Sequence, residues 1–139
     1  MKGGDGMITS IRITKVAAER SKEDEIAGLN VNISVDSVIA KGADTTIGFT
    51  YAVAYAEGVG ELKMWGSITA REDAKLTKEI ADRWAKEKRL PDAFAELTLN
   101  AINYACGTNG VLVVRAINLS PPIMPPRIQI GNQPPAKGN

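Results

Sequence analysis

Thr45-Thr46-Ile47-Gly48-Phe49-Thr50-Tyr51-Ala52-Val53-Ala54-Tyr55-Ala56 is the stretch on which the fold of this chain turns. Ile47, Phe49, Tyr51, Val53 and Tyr55 occupy one set of alternate positions, and Gly48, Thr50, Ala52, Ala54 and Ala56 the other. A period of two is that of a β-strand, and an uncharged strand is usually covered on both sides. The segment therefore reads as a central strand, with large residues on one face and small ones on the other.

Working outward, the pattern repeats. Leu29, Val31, Ile33 and Val35 alternate with Asn30, Asn32, Ser34 and Asp36, as in a sheet with one buried face. Lys41-Gly42-Ala43-Asp44 forms the turn between these two strands. Further upstream, Ile11 and Ile13 alternate with Arg12 and Thr14, which predicts a first strand over about residues 8–20. The charged run Ser21-Lys22-Glu23-Asp24-Glu25 follows it as a solvated loop. Downstream, Gly58-Val59-Gly60 is a turn into a fourth strand over about residues 61–70. There Leu62, Met64, Gly66 and Ile68 alternate with Lys63, Trp65, Ser67 and Thr69. Trp65 thus shares a face with polar residues.

The period then changes. A charged helix is expected from Thr69 or Arg71 to about Lys88, with Leu76, Ile80 and Trp84 as a narrow apolar stripe. Its seven basic and five acidic residues between Arg71 and Arg89 read as a solvated face. Leu90-Pro91-Asp92 starts a second helix, since Pro and an acid suit a helix start. Gly107 is the expected C-terminal cap, and Thr108-Asn109-Gly110 a turn. Residues 111–117 are open between strand and helix. Six of the seven prolines follow Leu119, which predicts an extended tail.

Strands followed by helices imply an α+β fold: a four-stranded antiparallel sheet with two helices packed on one face. The divisions are a flexible lead-in at 1–7, one α+β domain at 8–120 and a proline-rich extended tail at 121–139. The apolar positions left on the other sheet face call for a second subunit, so a homo-oligomer is expected, a dimer or a tetramer.

Composition narrows the function. The 139 residues are 44% hydrophobic and 24% charged, which is ordinary for one soluble domain. The net charge of +1 lacks the basic excess of a nucleic-acid binder. The absence of His and the single Cys exclude Ser-His and Cys-His pairs, an internal disulfide and multi-cysteine metal sites. No catalytic or metal-binding residue and no cofactor is expected. Glu23-Asp24-Glu25 lacks calcium-loop spacing, and Cys106 reads as a buried structural thiol. The uncharged run from Leu97 to Val114 is interrupted by Asn100, Asn103 and a turn signal, so it reads as a helix and not as a membrane span. No apolar leader is visible at the start, and the cytoplasm is the expected location.

The element order resembles that of SecB, the protein-export chaperone family. Trp65-Gly66-Ser67-Ile68 is similar to that family's glycine-plus-apolar segment before its first helix. Ile117-Asn118-Leu119-Ser120-Pro121-Pro122-Ile123 resembles its Leu-Asn-Leu-Ala-Pro segment after the main helix. Leu90-Pro91, Phe94, Glu96 and Cys106 fit the intervening helix. The resemblance covers about residues 8–123.

It implies a tetramer of two dimers and ATP-independent binding of unfolded polypeptides in long surface grooves. It also implies that Phe49, Tyr51, Met64, Trp65 and Ile68 line the groove or pack nearby. Two departures stand out: the chain is nearly neutral where SecB proteins are acidic, and the tail has no acid, Cys or His. Motor docking by that tail is therefore not expected. The alternative reading is a structural or interaction subunit whose apolar surface is sealed in a permanent assembly.

Overall fold

The structure, a computed structural model, describes residues 7–122. Of the lead-in expected at 1–7, residues 1–6 lie outside the described residues and Met7 already belongs to the first strand. Of the tail expected at 121–139, the part beyond Pro122 lies outside them. Strands β1 (Met7–Arg20), β2 (Leu29–Lys41), β3 (Asp44–Tyr55) and β4 (Gly60–Arg71) precede helices α1 (Ala74–Glu87) and α2 (Asp92–Arg115). The four strands form one antiparallel sheet in the order β1-β4-β3-β2. Two hairpins join β2, β3 and β4, while residues 21–28 carry the chain from one sheet edge to the other. The β2–β3 turn has Gly42 at φ +63 as the first of its two residues, which suits a tight hairpin.

Cross-strand register sorts every side chain. Tyr51 pairs with Ile33 on β2 and Met64 on β4, and Met64 with Val16 on β1. The large face of β3 is the inner face: Ile47, Phe49, Tyr51, Val53 and Tyr55 are all at most 2% exposed. Leu62, Met64, Ile68 and Ala70 of β4 join them, with Ile80, Phe94, Ile102, Cys106 and Val114 from the helices above. The register shifts once in β2, between Val35 and Ser37. That bulge keeps Val38 and Ala40 on the inner face after strict alternation would have turned them outward. β1 shifts twice, and Val16 and Ala18 stay inward for the same reason.

Both helices differ from the sequence reading at one end. α1 begins at Ala74, later than expected. β4 keeps pairing through Arg71, and the Asp73 side chain accepts a 2.8 Å hydrogen bond from the Leu76 amide as the N-cap. α2 does not stop at Gly107. It continues to Arg115, and Thr108 and Asn109 bond back to the carbonyls of Tyr104 and Ala105 inside it. Gly107 and Gly110 serve packing. A Cβ on Gly107 would stand 3.3 Å from the Pro122 carbonyl oxygen, and one on Gly110 3.1 Å from the Pro122 ring and 3.2 Å from Leu62. Residues 111–117 are accordingly the last turns of a helix and its exit.

That exit explains the Asn118-Leu119 pair. Asn118 adopts φ 57. The Leu119 amide donates to the Val114 carbonyl at 3.1 Å, and the Asn118 amide to that of Arg115 at 3.3 Å. These are the two bonds of a Schellman cap, with buried Leu119 and Val114 supplying its apolar contact. Arg20 clasps this end of the molecule. Its guanidinium donates to the carbonyls of Asn118, Lys22 and Asp24, joining β1, the crossover loop and the end of α2. The chain then turns back over β3, where the Tyr55 hydroxyl donates to the Ser120 carbonyl.

Candidate functional site

β2 is an edge strand, and among the described residues no strand pairs with its outer side. Its inner-face side chains Ile33 and Val35 are only half-buried. Above them lie the C-terminal end of α1 and the N-terminal half of α2, with a hollow left between them and the strand. The result is a groove of about 220 Å³ lined by Ile33, Val35, Trp84, Lys88, Arg89, Leu90, Ala95 and Leu99. Its walls are apolar and its rim is basic. The Lys88 ammonium lies 5.4 Å from the centre of the Trp84 ring, within cation–π range. An unpaired strand edge beside apolar hollows can hold an extended peptide through main-chain hydrogen bonds and alternate side chains.

Leu90-Pro91 places this site. Pro91 cannot continue α1, and its φ of −55 with ψ 142 re-aims the chain into α2. Lys88 ends α1 in the left-handed region at φ 56. The two helices therefore meet at a corner over β2, which leaves room between them and the sheet. A second hollow, of about 370 Å³, is lined by seven charged α1 residues including Lys75, Asp82 and Lys86. It is the solvated helix face read from the sequence, and Lys78 and Asp82 pair on it at 3.2 Å.

The expected groove residues divide between two faces. Phe49, Tyr51, Met64 and Ile68 are each at most 1% exposed. They form the packed core beneath the helices and cannot line an open groove. Their large, uncharged side chains are what a sheet needs under two helices, so of the two roles the resemblance implies for them, groove lining or nearby packing, these four have the packing role. Phe49 and Tyr51 are the cross-strand neighbours of Val35 and Ile33, so they stand one strand behind the groove and support it. Trp65 is on the opposite face, half-buried, with Lys15 Nζ 4.7 Å from its ring centre.

The groove residues were visible as strand and helix positions only. Ile33 and Val35 read as one face of a strand, and Trp84 as the end of a helix's apolar stripe. Edge position separates them from the truly buried positions, and one sequence carries no signal for strand order.

Burial sets the state of the titratable groups nearby. Cys106 is fully buried, which pushes its thiol up to about 12; it is protonated and unreactive at neutral pH. Burial raises Tyr51 well above its ordinary value, with Cys106 and Tyr55 adding to the effect. Tyr55 is raised by burial as well. Both hydroxyls act as hydrogen-bond donors to the returning chain. Among the described residues no group of three His, Cys, Asp or Glu side chains could hold a metal ion, and no helix is long and apolar enough to cross a membrane.

No protein-family model matches the chain, and no curated protein matches it. Among solved structures, it is similar to the Mycobacterium tuberculosis SecB-like chaperone in complex with a ChAD peptide from the HigA1 antitoxin. The likeness has a TM-score of 0.60 and covers 86% of each chain, at 10% sequence identity. The fold is SecB-like: a four-stranded antiparallel sheet followed by two helices.

Proposed function

We propose that this SecB-like fold acts as an ATP-independent holdase in the cytoplasm, binding unfolded polypeptide segments in extended form as a homo-oligomer, dimer or tetramer. The observation that carries the reading is the apolar groove between Ile33 and Val35 of β2 and Trp84, Leu90 and Leu99 of the helices, beside an unpaired strand edge. The mycobacterial SecB-like chaperone was solved with a peptide, which supports a polypeptide ligand for the same fold. Burying about 400 Å² of client apolar surface would contribute about 10 kcal/mol before ordering and association costs. Such a site would hold many sequences at moderate affinity.

A second reading, a sealed structural subunit, draws support from α2. Leu97, Tyr104 and Leu112 are all exposed on that helix, and their spacing puts them on one side of it, where a second subunit could cover them together.

The deciding experiment is aggregation of an unfolded model substrate without ATP. Suppression at near-stoichiometric amounts, absent with an inert protein and lost in Leu99→Glu, supports the holdase. No suppression across several substrates, together with no binding of a hydrophobic dye by the native protein, would replace it with the sealed subunit.

A further inference from the structure

The groove is apolar in its walls and cationic at its mouth. Lys88 and Arg89 are its charged lining groups, with no acid among them. Both are exposed, and among the described residues neither forms an ion pair. Lys88 occupies the left-handed C-cap of α1 at φ 56, where glycine or asparagine is the low-strain residue. The negative end of the helix dipole favours a cation there, but Arg89 lies beyond the cap and lines the same groove. The nearest acids in sequence, Glu87 and Asp92, are exposed and do not line it.

We infer that the groove selects apolar segments flanked by carboxylates: the occupant is an extended stretch of another protein with Asp or Glu beside its hydrophobic run. The inference rests on the peptide-binding reading above. The apolar run fills the space between Ile33, Val35 and Trp84, and its flanking carboxylates meet Lys88 and Arg89. Charge decides against the chain's own segment 123–139 as occupant. That segment follows directly on Pro122 but carries Arg127 and Lys137 and no acid, so it would bring like charge to a basic rim.

The test uses the full chain and two fluorescent peptides in an anisotropy titration. Both share an apolar core of about five residues, about 17 Å of extended chain; one is flanked by Glu and the other by Lys. The Glu-flanked peptide should bind about fivefold tighter at low salt, the scale of two exposed ion pairs. The preference should fade at about 1 M salt, where the screening length is about 3 Å.

The double variant Lys88→Gly, Arg89→Ser should bind both peptides alike; the salt series tests the same point without depending on that variant's folding. Equal binding by the wild-type protein overturns the charge selection and leaves the peptide groove standing. No binding of either peptide overturns both. Displacement of the Glu-flanked peptide by a synthetic 123–139 peptide at lower concentration than by its unlabelled self would make the tail the occupant and overturn the proposal.

Discussion

The Phe49 ring lies over Gly66, its cross-strand partner: a Cβ on Gly66 would stand 2.9 Å from Phe49 Cζ and 2.1 Å from the Arg12 carbonyl oxygen on β1. The ring fills the space a side chain would take, and the backbone of β1 closes in from the other side. The glycine of the Trp65-Gly66-Ser67-Ile68 segment is therefore required by packing.

Gly66→Ala should destabilise the protein by about 2–3 kcal/mol, because backbone cannot yield as a side-chain tip can. Gly28→Ala, with nothing within 4 Å of its Cβ, should change stability by less than about 0.5 kcal/mol. Urea denaturation of both variants checks the contrast.

Core and groove separate by mutation. Phe49→Ala should cost about 3–5 kcal/mol of folding stability. Trp65→Ala, on the far face, should leave client affinity unchanged. Trp84→Ala should weaken client binding with little loss of the sheet core. Thermal melts paired with peptide titrations distinguish the three outcomes.

Asn118 caps α2 in the left-handed region, so Asn118→Gly should be nearly neutral. Asn118→Val should cost about 1–2 kcal/mol, the price of a β-branched side chain at positive φ. Differential denaturation at neutral pH reads this directly.

Alkaline pH should unfold the protein early. Cys106 has its folded value raised to about 12 from an ordinary 9.0. The unfolded chain therefore loses its thiol proton first, and the stability present below pH 9 declines as pH rises toward 12. Tyr51 and Tyr55, both raised from 10.0, act in the same direction from about pH 10 upward. Urea midpoints measured from pH 7 to 11 should fall, and Cys106→Ala should flatten the part of the fall that begins near pH 9.

Arg20 ties β1 to the crossover loop and to the carbonyl of Asn118. Arg20→Ala should cost about 2–3 kcal/mol, since several charge-assisted bonds go at once. Hydrogen exchange should quicken at residues 21–28 and at the end of α2 ahead of the β3 core.

The local pattern by itself determined a good deal of this protein. Alternation in 29–35 and 45–55 set the strands and their inward faces, Lys41-Gly42-Ala43-Asp44 set a hairpin, and Leu90-Pro91-Asp92 set the break between the helices. Each depends on residues a few positions apart, whose periodicity and φ preferences act without the rest of the chain. The tertiary structure alone decided the strand order, the bulges that hold Val38 and Val16 inward, and the passage of α2 through Gly107 and Gly110. It also decided that Phe49, Tyr51, Met64 and Ile68 are covered while Ile33 and Val35 border a groove. These outcomes depend on contacts between residues far apart in the chain: Pro122 against Gly110, Arg12 against Gly66, the helices against the inner face of the sheet. A large apolar side chain has the same local pattern at the centre of a sheet as at its edge. Only its neighbours across space determine whether it becomes core or contact surface.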